Sequence, residues 1–203
     1  MLKRTFDVVF SLTTLVVTAP LFILIALWIR ADSTGPVFYR GVRGGLHGKP
    51  FWIFKFRTMV ANADQIGGPS TADDDPRVTK AGRFLRKYKL DELPQLISVL
   101  RGEMSLVGPR PEVLQEVKFY SEEESALLTV RPGITDYASI VFSNEGEILV
   151  GSEDPHQAYR EKIQPEKIRL GLEYVRDRSL WVDLKILGRT FLVIFGSRSR
   201  PRQ

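Results

Sequence analysis

From Val8 to Ile29 the chain carries no charged side chain, and its only polar ones are Ser11, Thr13, Thr14 and Thr18. A run of this kind is long enough to cross the apolar core of a bilayer, which takes about 20 residues of helix. Buried helices of soluble domains seldom go so far without a charge, so a membrane segment is the expectation that constrains everything downstream. The run exceeds the apolar core of a signal peptide, and Pro20-Leu21-Phe22 makes a poor small-residue cleavage site, so the segment is expected to be retained. Pro20 lies near its middle, where proline removes a backbone donor and collides with the preceding turn, which predicts a kink or break at Ala19-Pro20. Lys3 and Arg4 precede the segment and Arg30, Arg40 and Arg43 follow it, so flanking charge shows no one-sided bias. A re-entrant hairpin with both ends cytoplasmic explains that symmetry better than a spanning helix, which stays open. The carbonyls freed at the bend would be met by Thr14 or Thr18 hydroxyls or by packed protein.

The remaining chain suits one compact domain with a real hydrophobic core. There is no cysteine, which excludes disulfides, thiolate zinc sites and cysteine nucleophiles. His47 and His156 are the only histidines, too few and too scattered for a histidine metal cluster or a Ser-His-Asp triad. Carboxylate chemistry is left. The formal charge of +5 would suit nucleic acid, an anionic membrane or phosphorylated substrates.

Two adjacent acids stand out in Lys89-Leu90-Asp91-Glu92-Leu93-Pro94. Leu93, Leu96, Ile97, Leu100 and Met104 recur at helical spacing behind a proline suited to a first helical turn, which predicts a helix from about Leu93. Asp91 and Glu92 then sit at its positive end, where ordinary N-capping is one reading and a phosphate or metal-phosphate site the other. Upstream, a helix over roughly Thr79 to Lys89 brings Arg83, Arg86, Lys87 and Lys89, so the acids are bracketed by cations.

Elsewhere, Val37 to Tyr39 reads as a short strand, followed by a basic, glycine-rich turn, and Phe51 to Arg57 as a second strand. Strict alternation in that strand puts Lys55 and Arg57 on one face, a pair suited to a phosphate. Residues 61–76 form a polar loop whose Asp73-Asp74-Asp75 run reads as solvated rather than metal-binding. Arg110 stands between Pro109 and Pro111, which stiffen the backbone and aim a guanidinium fit for bidentate phosphate binding. Val113 to Leu128 is expected to be helical, Tyr137 to Phe142 a strand, and Asn144 to Pro155 a loop. Pro165 to Val175 and Trp181 to Phe195 are expected to be helical; the latter either lies in a membrane interface or packs in the core. In the first case Arg198, Arg200 and Arg202 would meet anionic headgroups.

Taken together, Lys55 to Met59, Arg86 to Leu96, Ser105 to Glu112 and Val130 to Thr135 resemble the bacterial sugar transferases known as monotopic phosphoglycosyltransferases. The segment from Glu173 to Leu187 is similar to the same family's C-terminal region. The resemblance implies transfer of a sugar 1-phosphate from a UDP-sugar to a polyprenyl (undecaprenyl) phosphate in the bacterial inner membrane, with release of UMP. It implies Asp91 as the nucleophile, through a phosphosugar-aspartyl intermediate, and Glu92 as its Mg²⁺ or acid-base partner, so that Asp91 and Glu92 are also the candidate metal ligands. Arg86 matches a phosphate-binding arginine, Lys55 a further phosphate contact, and Pro109-Arg110-Pro111 the nucleotide-side loop. Ala19-Pro20 stands where the family usually has Ser-Pro, and Thr135-Asp136-Tyr137-Ala138-Ser139 departs from its commoner Gly-Trp strand.

The expected architecture is a small, helix-rich mixed α/β domain over residues 33–203, on the cytoplasmic face, anchored by residues 1–32 as a re-entrant membrane helix. The oligomeric state is open, a homodimer included. A catalytically silent membrane module that binds nucleotide sugars or organises a glycan assembly complex is the rival that the intact acidic pair opposes. A nucleic-acid binder is disfavoured, because no such fold is recognisable and the cations gather around acids and an apolar span.

Overall fold

A computed structural model describes residues 1–68 and 70–196. The elements in chain order are α1 (Leu2–Asp32), β1 (Phe38–Gly44), β2 (Pro50–Phe56), α2 (Ala63–Ile66), α3 (Lys80–Lys87), α4 (Gln95–Arg101), β3 (Ser105–Val107) and α5 (Leu114–Val117). They continue with β4 (Gly133–Thr135), α6 (Tyr137–Val141), α7 (Glu145–Ile148), α8 (Pro155–Lys162), α9 (Gln164–Asp177) and α10 (Leu180–Gly196). The fold is mixed α/β and rich in helix.

Helix α1 is long and apolar enough to cross a membrane, with a window of mean hydropathy 2.4. Pro20 lies within it without ending it, and the Thr18 hydroxyl donates to the Thr14 carbonyl, 2.7 Å away. Its buried residues fall at the two ends, Asp7 and Ser11 on one side and Ile25 and Ile29 on the other. Between them Leu12, Val16, Val17, Ile23 and Leu24 are exposed. Both ends dock on the same domain. Ser105 Oγ donates to Asp7 at 2.8 Å, and Arg4 caps the carbonyls of Val99 and Leu100 at the end of α4. At the far end Ile25 and Ile29 pack with Phe56 and Leu85, and the Asp32 carboxylate accepts the Ala81 amide at 2.9 Å.

Strands β1 and β2 form an antiparallel hairpin from Phe38↔Phe56 to Gly44↔Pro50, closed by a turn in which His47 and Gly48 take positive φ. The basic glycine-rich stretch is therefore a hairpin turn. Strands β3 and β4 pair in parallel, Ser105 with Gly133 and Val107 with Thr135. A Cβ on Gly133 would lie 2.1 Å from the Gly108 amide nitrogen, so the chains meet at a distance only glycine allows. Leu96, Leu106, Val107, Tyr174 and Ile186 form the core beneath this sheet.

Five expectations change. Arg57 lies beyond the end of β2, and its guanidinium binds the carbonyls of Ser33 and Thr34 rather than facing the same way as Lys55. Tyr137 to Val141 is helix, not strand, because the Asp136 side chain accepts the Ser139 amide at 2.7 Å and caps a helical turn. The helix expected over Val113 to Leu128 is divided into α5 and a 3₁₀ segment, Glu124–Thr129. A reciprocal cap causes the restart: Ser121 N donates to Glu124 Oε2 at 2.7 Å, and Glu124 N to Ser121 Oγ at 3.2 Å. Helix α4 stops at Arg101, since Gly102 takes φ +83 and leaves Met104 outside. The expected loop over 144–155 also contains the short helix α7. Helix α10 keeps Asp183 and Ile186 inside and presents Trp181, Phe191, Leu192 and Phe195 outward. Arg198, Arg200 and Arg202 lie outside the described residues.

Candidate active site

Asp91 and Glu92 lie in a 3₁₀ turn, Leu90–Glu92, just ahead of α4. Lys89 precedes it at φ +54, a left-handed residue that swings the chain from α3 into the turn. Three elements converge there. Lys55, near the end of β2, places Nζ 2.8 Å from Glu92 Oε1. Arg110, from the loop after β3, places Nη2 2.5 Å from the same oxygen and gives Nη1 to the Ile134 carbonyl of β4. Arg86 arrives from α3, its Nε 2.9 Å from Thr58 Oγ1. Gly82, one turn earlier, makes that approach feasible: a Cβ there would stand 2.0 Å from the Thr58 carbonyl oxygen.

The two acids are driven apart electrostatically. Asp91 is 7% exposed, and its Oδ1 is buried without a hydrogen-bond partner. Burial pushes its carboxyl above the usual range, against the pull of Lys55, Arg86 and Lys89 and with the help of its neighbour Glu92. Burial also opposes ionisation of Glu92, but Arg110 and Lys55 outweigh it and hold that carboxyl well below the usual range. Burial lowers the Arg86 guanidinium, with Asp91 pulling the other way. For Arg110 the burial effect is overcome by Glu92 and Asp136, which hold it above its ordinary value. Glu92 is thus a locked counter-ion, and Asp91 keeps a free carboxylate oxygen. Paired acids in unlike environments take unlike roles.

The fold brings Lys55, Arg86, Asp91, Glu92 and Arg110 together, and Arg57 falls outside. Pro109 and Pro111 flank Arg110, with the Pro109 carbonyl accepting the Gly133 amide at 3.0 Å. Ala19 and Pro20 are exposed on α1. Sequence reasoning missed Thr58, which orients Arg86, and Asp136, which backs Arg110. The latter had a signal in its position three residues ahead of Ser139, a spacing suited to a side-chain cap.

Among the described residues no group of three acids and histidines is built to hold a cation. The residues do fit Mg²⁺ as an ion that takes one or two carboxylates and completes its shell with water and diphosphate oxygens, because the unpartnered Asp91 Oδ1 offers a hard anionic donor.

The profile of the bacterial sugar transferase family matches residues 1–197, and the chain belongs to that family. The protein is accordingly an enzyme, a transferase. Over 194 residues it is 42% identical to the UDP-glucose:undecaprenyl-phosphate glucose-1-phosphate transferase of Caulobacter vibrioides, covering 93% of this chain and 67% of that protein. It is 40% identical over 200 residues to the Escherichia coli protein of the same name, covering 96% of this chain and 40% of that one. It is 39% identical over 186 residues to the uncharacterized sugar transferase EpsL of Bacillus subtilis, covering 92% and 83% respectively.

Proposed function

We propose that the protein transfers a sugar 1-phosphate from a UDP-sugar to membrane undecaprenyl phosphate, releasing UMP and starting a surface glycan. The observation that carries this reading is Asp91: a buried carboxylate with one unpartnered oxygen, set among Lys55, Arg86 and Lys89. An Asp91 oxygen attacks the sugar-bearing phosphorus of the donor, and the bond from that phosphorus to the bridging oxygen breaks, so UMP leaves with the bridging oxygen. An oxygen of the polyprenyl phosphate then attacks the same phosphorus and expels the Asp91 carboxylate. Direct attack of one phosphate on another is a like-charge encounter, and the covalent step divides it into two separate displacements. Arg86 has Nε committed to Thr58, which leaves its terminal nitrogens to grip the donor phosphate. Arg110, stiffened by its prolines, lies on the nucleotide side. Asp91, through its unpartnered oxygen, and Glu92, through the oxygen that Lys55 and Arg110 do not bind, would hold Mg²⁺, which when bound offsets the diphosphate charge.

Helix α1 is read as re-entrant, with residues 1–32 as the membrane segment and residues 33–203 as a catalytic domain on the cytoplasmic face of the inner membrane. Docking of both α1 ends on one domain, with an exposed apolar middle, supports this reading over a spanning helix. The outward residues of α10 would rest in the same bilayer interface.

The test incubates detergent-purified enzyme with Mg²⁺, undecaprenyl phosphate and a panel of UDP-sugars, with UMP and UDP measured separately beside an Asp91→Asn control. UMP release that disappears in the variant is the expected result. Release of UDP would replace the covalent scheme with ordinary glycosyl transfer.

A further inference from the structure

The carbonyl of Val107, the last residue of β3, is approached from two sides. Lys3 Nζ lies 3.1 Å from it and Tyr174 Oη 3.0 Å. Both groups also reach Asp183, at 2.6 Å from Oδ2 and 2.8 Å from Oδ1. Asp183 and Tyr174 are each 2% exposed. A phenol has one proton to give, so Tyr174 can serve Asp183 or Val107 but not both at once. The ammonium of Lys3 carries three protons and supplies the remainder, coming within 3.4 Å of Tyr174 Oη as well. Burial and Asp183 push the Tyr174 hydroxyl above its usual range, so it stays a donor.

The cluster draws on α1, α9 and α10, none of which contributes a residue to the site. What it holds leads straight to the site. Beyond Val107, the Gly108 amide donates to the Thr135 carbonyl at 3.0 Å, and the Pro109 carbonyl accepts the Gly133 amide at 3.0 Å. Arg110 follows, between two prolines of fixed φ. Gly108, the one flexible residue between Val107 and Arg110, is pinned by its bond to Thr135 and by its close approach to the backbone of Arg131 and Gly133, so a shift at one is carried to the other. Arg4 and Asp7 extend the same grip backward, onto the end of α4 and the start of β3.

We propose that Lys3, Tyr174 and Asp183 are positioning residues for Arg110, which makes the first turn of α1 part of the active-site scaffold as well as of the membrane anchor. The inference rests on the sugar-phosphate transfer proposed above.

Tyr174→Phe removes one hydroxyl and keeps the ring, Lys3→Met removes the charge, and Lys3→Arg restores it. Tyr174→Phe and Lys3→Met are expected to lower kcat about tenfold with KM for the UDP-sugar within about twofold, and Lys3→Arg to recover most of the loss. Combined with Arg110→Lys, Tyr174→Phe should add little further loss, because both act through one guanidinium. Amide exchange across residues 107–110 should rise in Tyr174→Phe, a readout that needs no turnover. Unchanged kcat per folded molecule, or losses that simply add to that of Arg110→Lys, overturns the proposal. Should the wild type release no UMP, the transfer reading fails on its own, and exchange across 107–110 still decides: unchanged protection there rejects the positioning role.

Discussion

Arg110 Nη2 lies 2.5 Å from Glu92 Oε1 although 18 residues separate them in the chain. The contact closes the site, because Arg110 is also tied to β4 and Glu92 ends the 3₁₀ turn that carries Asp91. Glu92→Gln keeps the shape and removes the charge, leaving Lys55 and Arg110 to repel each other across a neutral amide. The variant is expected to lose about 1–3 kcal/mol in urea unfolding. Turnover should fall at least about a hundredfold, since the two cations no longer have a fixed partner to orient them.

Arg57 and Arg86 provide a contrast between a structural cation and one proposed to grip the donor phosphate. Arg57 fastens the segment after α1 through Ser33 and Thr34, so Arg57→Ala should lower the melting temperature and leave kcat per folded molecule within about twofold. Arg86→Lys loses both the fork and the Thr58 bond. It should cost about ten- to a hundredfold in kcat/KM with little change in melting temperature. Parallel thermal scans and UMP assays of the two variants check this.

Gly82→Ala sets a methyl 2.0 Å from the Thr58 carbonyl oxygen, a backbone atom that cannot yield without moving β2 or α3. Retreat of α3 would withdraw Arg86 from the site. The expected outcome is a loss of about 3 kcal/mol or more, with activity lost in whatever fraction still folds. Circular dichroism melts alongside the transferase assay measure both.

Glu116 ties α5 to the segment of α8 and α9, with Arg160 Nη2 2.5 Å from its Oε1 and Gln164 Nε2 3.1 Å from its Oε2. Burial works against its ionisation, but the bonds from Arg160 and Gln164 prevail and hold the carboxyl below the ordinary glutamate range. A folded-state pKa below the unfolded one contributes stability that is complete above the unfolded value and is lost as pH falls through the folded one. Glu116→Gln should therefore lower the melting temperature at neutral pH. The gap to wild type should close as pH falls below the ordinary glutamate range, and a gap that persisted there would assign the loss to packing instead.

The chain has no cysteine, so single cysteines can be placed along α1 without background. With a re-entrant helix, Thr5→Cys and Ala31→Cys should both react with an impermeant maleimide from the cytoplasmic side of inverted vesicles, and Val17→Cys should be protected by lipid. Labelling of the two ends from opposite sides would mean a spanning helix.

Much of this protein was legible from the residues alone, wherever the signal lies within a few positions. The uncharged run from Val8 to Ile29 dictated a helix long and apolar enough to cross a membrane, the acids ahead of a periodic apolar segment marked the turn before α4, and Pro109-Arg110-Pro111 announced a stiff, aimed guanidinium. Local periodicity misled where a cap overrode it: Asp136 turned an expected strand into α6, and Ser121 with Glu124 divided an expected helix in two. Only the tertiary structure decided that Lys55 and Arg110 share one oxygen of Glu92, that Arg57 turns away from that site, and that the first turn of α1 reaches Val107. The physical reason is range. Capping and periodicity act within one or two turns of chain, whereas these partners lie 37, 18, 24 and 104 residues apart and meet only because packed helices and a glycine-lined strand pair bring their backbones together.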